Sequence, residues 1–457
     1  MKASSGKRWH RFRFLARLLR RSPLPTRRMA ALTAGGAVAT SAAAAIGQHW
    51  LVFAIWCGAL LALSAIDLAL LPRSLVWTVR RQLPSSSEIR RMFEVELDVV
   101  CRSQAAVRVE LADDIPATFD RPDGRTVGGM LLRSRTFVYH LAATERGVYR
   151  FREVDMRWSG ALGLWRKQTQ LKVEDDIRID PDLSGVRSVL ASAQDSLLID
   201  GKRIHRRQRG GSEFDAIREY APGDDIREVN WRATARTGRL LTNLYRPEKG
   251  KTLVLLLDCG RQMGVELDGQ VKLERSLEAA LTLAAAALRQ GDQVALIAYS
   301  SSVKLYIPPG RGLAHLQTLT RSASEIRSDF SEAGSAVGLG FLLSRIRKRS
   351  FAVLFSDMDH YLQDAELLPY AAKVRKQHHL LLMSLQNPVL RQLEESRPDT
   401  AAEAYVQSVA ASYALERQLI VRRMGSSGIP MLDAAPDQLA ISSVNAYLDI
   451  RDRGLLG

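Results

Sequence analysis

Cysteine is scarce, with three in 457 residues: Cys57, Cys101 and Cys259. They form no CxxC pair and no regular framework, which argues against a disulfide scaffold or a cysteine-based zinc site and suits a reducing compartment. The motifs of several enzyme classes are missing as well. There is no GxSxG elbow, no HExxH pair and no glycine-rich dinucleotide turn. Gly250-Lys251-Thr252 imitates the end of a phosphate-binding loop, but Tyr245 stands where the first glycine belongs, and the segment precedes a strand instead of following one. His378-His379 opens a strand and His205 sits in a basic tract, so the histidines assemble no acid–base set. A binding protein is expected rather than an enzyme.

Acidic residues are absent from the first 28 positions, where Lys2, Lys7, Arg8, Arg11, Arg13, Arg17, Arg20, Arg21, Arg27 and Arg28 account for ten of the sixteen net positive charges. Further basic clusters are Arg73/Arg80/Arg81/Arg90/Arg91 and Lys202/Arg203/Arg206/Arg207/Arg209. The first two clusters flank apolar segments, a placement that favours a membrane surface over nucleic acid. Met29 to Gly47 is uncharged and rich in alanine; Trp50 to Leu71 is more apolar and carries only Asp67. Each approaches the ~20 residues that cross a bilayer core. A two-helix transmembrane hairpin over 29–80 follows, after a basic tract over 1–28. Basic residues on both sides predict both termini and the soluble regions in the cytoplasm, at the inner membrane. A cleaved signal peptide is the rival reading, and the basic residues beyond Leu71 argue against it. Asp67, near the end of its span, is expected to reach the interface.

Residues 88–185 change character. Phe93 to Val100 and Val107 to Leu111 alternate apolar and polar side chains, and turns such as Pro122-Asp123-Gly124 separate such runs. That pattern predicts a small β-sandwich. From 251 to 457 apolar runs alternate with amphipathic segments, beginning with Leu253 to Leu257 ahead of Asp258 and continuing with Phe351 to Phe355 ahead of Ser356-Asp357. Strands alternating with helices predict an α/β, doubly wound sheet with its ligand site beyond the strand ends. Asp258 and Asp357 would meet there, either to hold a hard divalent cation or merely to cap the elements that follow.

Between these regions, 200–250 contains Arg218-Glu219-Tyr220-Ala221-Pro222-Gly223-Asp224-Asp225-Ile226-Arg227-Glu228-Val229-Asn230-Trp231 and then Ala235-Arg236. With Leu253 to Asp258, Phe355-Ser356-Asp357 and Ala446-Tyr447-Leu448, this stretch resembles the domain-of-unknown-function-58 family. The resemblance implies a von Willebrand factor A-like domain that partners a MoxR-type AAA+ ATPase. Such domains bind metal through Asp-x-Ser-x-Ser, a threonine and a second aspartate. Here the first segment is Asp258-Cys259-Gly260-Arg261-Gln262, so both serine positions depart. The oxygens left for Mg²⁺ at this degenerate site belong to Asp258, Gln262, Ser328, Asp329 and Asp357. Arg218, Glu219, Tyr220, Asp224, Asp225, Arg227, Trp231 and Arg236 form either a partner-binding surface or an internal ion-pair network. The expected role is a membrane-anchored adaptor, without nucleic acid as a partner. The alternative is a metal-dependent hydrolase using Asp258 and Asp357.

Overall fold

In a computed structural model, the described residues are 23–45, 47, 49–71, 77–102, 106–160, 162–191, 198–199, 202–203, 213–221, 224–246, 250–267, 269–357, 361 and 364–453. The basic tract through residue 22, Arg73, Arg206, Arg207, Arg209 and the Pro222-Gly223 turn lie outside them. The chain divides into two compact units, Met1–Asp180 and Pro181–Gly457.

In the first unit two helices, Arg27–Ala44 and His49–Leu70, lie side by side. Gly36 makes the contact close: a Cβ there would fall 2.2 Å from Nε1 of Trp56. The same indole donates to the Leu32 carbonyl at 3.2 Å. Among the described residues, only His49–Leu70 is long and apolar enough to cross a membrane. The first helix opens on two arginines and is mostly Ala, Gly, Ser and Thr, which lowers its apolarity below that of a span.

Both helix bases are tied to one loop of the β-rich region. Thr26 donates its hydroxyl to the Gly163 carbonyl at 2.6 Å. At the end of the second helix Asp67 accepts the N–H groups of Leu164 and Trp165, each at 2.8 Å. This corrects the expectation for Asp67: it is buried and faces protein, not the interface.

The β-rich region contains a four-stranded antiparallel sheet that includes Trp77–Gln82, Met92–Cys101 and Ser134–Ala143, and a six-stranded sheet built on Gly147–Ser159 and Trp165–Asp180. The alternation read from sequence has a direct cause. Phe93, Val95, Leu97, Val99 and Cys101 from one sheet and Val107, Val109, Leu111 and Trp158 from the other point into a single shared core. Trp77–Gln82 is a strand of this region, although hydropathy assigned it to the hairpin.

In the second unit a six-stranded sheet runs in the order Val303–Gly310, Gln293–Tyr299, Thr252–Asp258, Phe351–Phe355, His379–Leu385, Met431–Ala434. All neighbours are parallel except the first pair. Within Thr252–Asp258, Leu253 to Leu257 are all apolar because both faces of the strand are covered. Leu253, Leu255 and Leu257 pack with helices Lys272–Arg289 and Leu439–Asp452, while Val254 and Leu256 pack with Ser335–Arg345 and Leu367–Gln377.

One buried histidine here has a measurable consequence. His378 sits 2.8 Å from the Ser350 hydroxyl, and burial, with the charges of Arg349 and His379, holds its pKa below the usual value. The unfolded chain therefore takes up this proton first as pH falls. The stability that this site contributes is present above about pH 6.5 and declines below it. His378→Asn is expected to flatten the loss of stability between about pH 7 and 5. Unfolding midpoints that track wild type across that range would remove His378 as the source.

Candidate functional site

Two places in the second unit carry the residues singled out by sequence. The first is the segment ahead of the sheet. Strands Glu213–Glu219 and Leu241–Arg246 pair antiparallel, and between them lie a 3₁₀ turn, Ile226–Glu228, and a short helix, Trp231–Thr237. Asp225 caps the turn by accepting from Arg227 N at 3.0 Å. Asn230 caps the helix by accepting from Ala233 N at 2.9 Å, and its amide reaches Asn243 on the returning strand at 2.9 Å. Gly238 ends the helix with φ of 70°, a left-handed conformation that glycine adopts without a Cβ penalty.

The eight predicted partner-binding residues separate into two groups. Asp224 bonds Arg218 at 2.6 Å and the Ala221 N–H at 2.9 Å, while the Tyr220 hydroxyl donates to the Asp224 carbonyl at 3.2 Å. Glu219 pairs with Arg239 at 2.8 Å. Arg218, Tyr220, Asp224 and Asp225 thus bond within the segment, and Glu219 forms an exposed ion pair. The others face outward. Trp231 is 63% exposed, and Arg227 and Arg236 are exposed and pair with no acidic side chain among the described residues. Sequence reasoning missed Ile226, which is 68% exposed beside them. Its only signal was an apolar residue directly after a capping aspartate. The structure thus ties some of the eight residues into the segment and leaves the others exposed to solvent.

The second place is the sheet edge where the strand order reverses, between Thr252–Asp258 and Phe351–Phe355. Asp258 is buried; one of its oxygens accepts the Gly260 N–H at 2.7 Å and the other accepts the Ser356 hydroxyl. The loop at 328–331 is stitched across this segment. Ser328 donates to the Gly260 carbonyl at 2.9 Å, and Arg261 N donates to the Ser331 carbonyl at 2.8 Å. Asp329 accepts from Ser300 and Ser331, each at 2.7 Å, and pairs with Lys304 at 2.6 Å. Its partial burial alone would raise its pKa, but the bonds from Lys304, Ser300 and Ser331 prevail and hold it well below the usual carboxylate range. Asp357 is buried against Lys272 at 2.6 Å. Gln262 lines a cavity of about 340 Å³ with Asp258, Glu332 and Asp364.

Of the predicted metal residues, Asp258, Ser328, Asp329 and Asp357 thus bond to other groups of the protein, and Gln262 lines the cavity. Among the described residues no set of three or more His, Cys, Asp or Glu side chains is placed to hold a metal ion. Lys272 and Lys304 were not singled out by sequence. Phe330, on the same loop, is 65% exposed and has φ of 56°, a left-handed conformation uncommon for a bulky residue.

Residues 216–400 match the family described as "Protein of unknown function DUF58". The uncharacterized protein YeaD of Bacillus subtilis (strain 168) is 31% identical over 127 residues, which span 28% of this chain and 31% of that protein. The uncharacterized protein Rv1480 of Mycobacterium tuberculosis (strain H37Rv) is 22% identical over 266 residues, 54% of this chain and 81% of that protein. Among solved structures, proximal thread matrix protein 1 from the mussel byssus superposes with a TM-score of 0.27 at 9% identity, over 44% of this chain and 46% of that chain. A likeness at that score assigns no fold.

Proposed function

We propose that this protein is a membrane-anchored adaptor whose second unit engages a protein partner through the exposed face of the segment at 226–236. The observation that carries this reading is the division of labour within the segment. Glu219, Asp224, Asp225 and Tyr220 bond within the segment, while Trp231 and Ile226 stand exposed beside Arg227 and Arg236. Two large apolar side chains thus stand outermost beside two arginines on a capped turn and the helix that follows it. Aromatic and arginine side chains dominate interface hot spots because they bury large area with directional contacts at their rims.

The sheet order, with both faces covered and carboxylates at the reversal, supports the finer assignment of a doubly wound, von Willebrand factor A-like domain. The family resemblance makes a MoxR-type AAA+ ATPase the partner to test. The two sheets that share one core support the sandwich reading of the β-rich region. Membrane anchoring is supported by the helix His49–Leu70, which is long and apolar enough to cross a bilayer.

Affinity capture of the detergent-solubilised full chain, with and without ATP and Mg²⁺, tests the adaptor reading. An AAA+ ATPase is expected to co-purify with wild type. Trp231→Ala is expected to weaken its retention about 30-fold, the effect of a hot spot worth about 2 kcal/mol. Asp225→Ala, by contrast, acts through the fold of the turn and should lower thermal stability along with retention. Absence of any ATPase under every nucleotide condition would remove this reading's main support.

A further inference from the structure

The sheet edge poses a question of charge. Asp258 and Asp357 are both buried at the ends of adjacent parallel strands, and buried carboxylates are costly without a compensating cation. In a metal-binding domain of this topology, a divalent ion would supply that charge. Here the charge comes from the chain.

We propose that the Lys272 ammonium is the resident cation of this edge and that the edge therefore takes no divalent metal. Lys272 Nζ lies 2.6 Å from Asp357 Oδ2, and its side chain is only 12% exposed. Lys272 is also the first residue of helix Lys272–Arg289, where the helix dipole disfavours a positive charge. Its position there is explained by the carboxylate it meets.

Three further observations close the site. The departure at Gly260 cannot be made good, because a Cβ at that position would lie 2.8 Å from the Ala333 Cβ and 3.0 Å from the Ser331 carbonyl oxygen. No side-chain oxygen fits there without moving backbone. Both oxygens of Asp258 already accept hydrogen bonds, from the Gly260 N–H and the Ser356 hydroxyl. The third loop is likewise committed, with Ser328 donating to the Gly260 carbonyl and Asp329 held by a second lysine, Lys304. An incoming dication would have to expel one ammonium and approach another.

Thermal unfolding and titration calorimetry of the detergent-solubilised full chain test this assignment. Wild type is expected to unfold at the same temperature in EDTA and in about 5 mM MnCl₂ or MgCl₂, a concentration at which a site with a micromolar Kd would raise Tm by several degrees. It should also give no binding isotherm with either ion. Lys272→Met should lower Tm by about 10 °C by stranding a buried carboxylate. The added change Asp357→Asn should recover most of that loss, and Lys272→Arg should lose less than Lys272→Met. A metal-dependent rise in the Tm of wild type would overturn the proposal. So would a Lys272→Met variant as stable as wild type. If Lys272→Met fails to fold, the wild-type titration and Lys272→Arg still decide.

Discussion

Arg81→Ala is expected to destabilise the β-rich region by about 3–5 kcal/mol, among the largest effects of any single substitution outside the hydrophobic core. Arg81 and Asp113 are buried side chains joined by a two-point pair, with guanidinium-to-carboxylate distances of 2.6 and 3.0 Å. The same guanidinium reaches the Val173 carbonyl at 2.7 Å and Asp175 at 3.2 Å, so it bridges the first strand of one sheet to the long last strand of the other. The Tyr139 hydroxyl also donates to Asp113; burial, and then the Asp113 charge, push the phenol far above its usual pKa and keep it a donor. Removing the cation leaves Asp113 charged, dry and only partly bonded. Denaturant unfolding monitored by the fluorescence of Trp158, buried in the same core, reads the loss. Arg81→Met with Asp113→Leu removes both charges and should recover much of the stability, because the penalty lies in the unpaired charge. An Arg81→Ala midpoint within error of wild type would refute the account.

Asp67→Ala is expected to cost about 3 kcal/mol locally, since two hydrogen bonds to a charged acceptor are lost and two N–H groups are left without that partner. The local effect is larger than the number suggests. Asp67 joins the end of the apolar helix to the loop at 160–166, assisted by a 2.6 Å bond from Trp165 Nε1 to the Ser64 hydroxyl. Without it this loop should open to protease in reconstituted vesicles while the β core stays folded. Asp67→Asn retains a carbonyl acceptor of the same shape and should lose only about 1 kcal/mol. Equal cleavage of all three proteins at this loop would show that the joint depends on other contacts.

Much of the architecture was legible in the sequence because it rests on periodicity. The alternation of Phe93 to Val100 reappears as a strand with one buried face, and the unbroken Leu253 to Leu257 run as a strand covered on both faces. Thr400 and Glu403 form the capping box that starts helix Ala401–Ser426, a local signal that spans three residues. Asp258 ends one strand and Asp357 follows the parallel strand beside it, a placement that strand order dictates.

Other features depended on partners far away in the chain. Arg81 reads as a topology charge next to a span, yet its partner Asp113 stands 32 residues on in another strand. Asp67 meets its donors 97 and 98 residues later. Lys272 and Asp357 are 85 residues apart, and no spacing rule connects them. For the residues between Arg218 and Arg236, composition alone left an interface and an ion-pair network both open, and only the fold bonds Asp224 to Arg218 and the Ala221 N–H while leaving Trp231 exposed. Sequence by itself marked the alternating strands of the β-rich region and the apolar strands of the second unit, because hydrophobic burial repeats with the local backbone. Only the tertiary structure decided which charge neutralises which, because that depends on separations of a few ångströms between residues that the chain alone does not bring together.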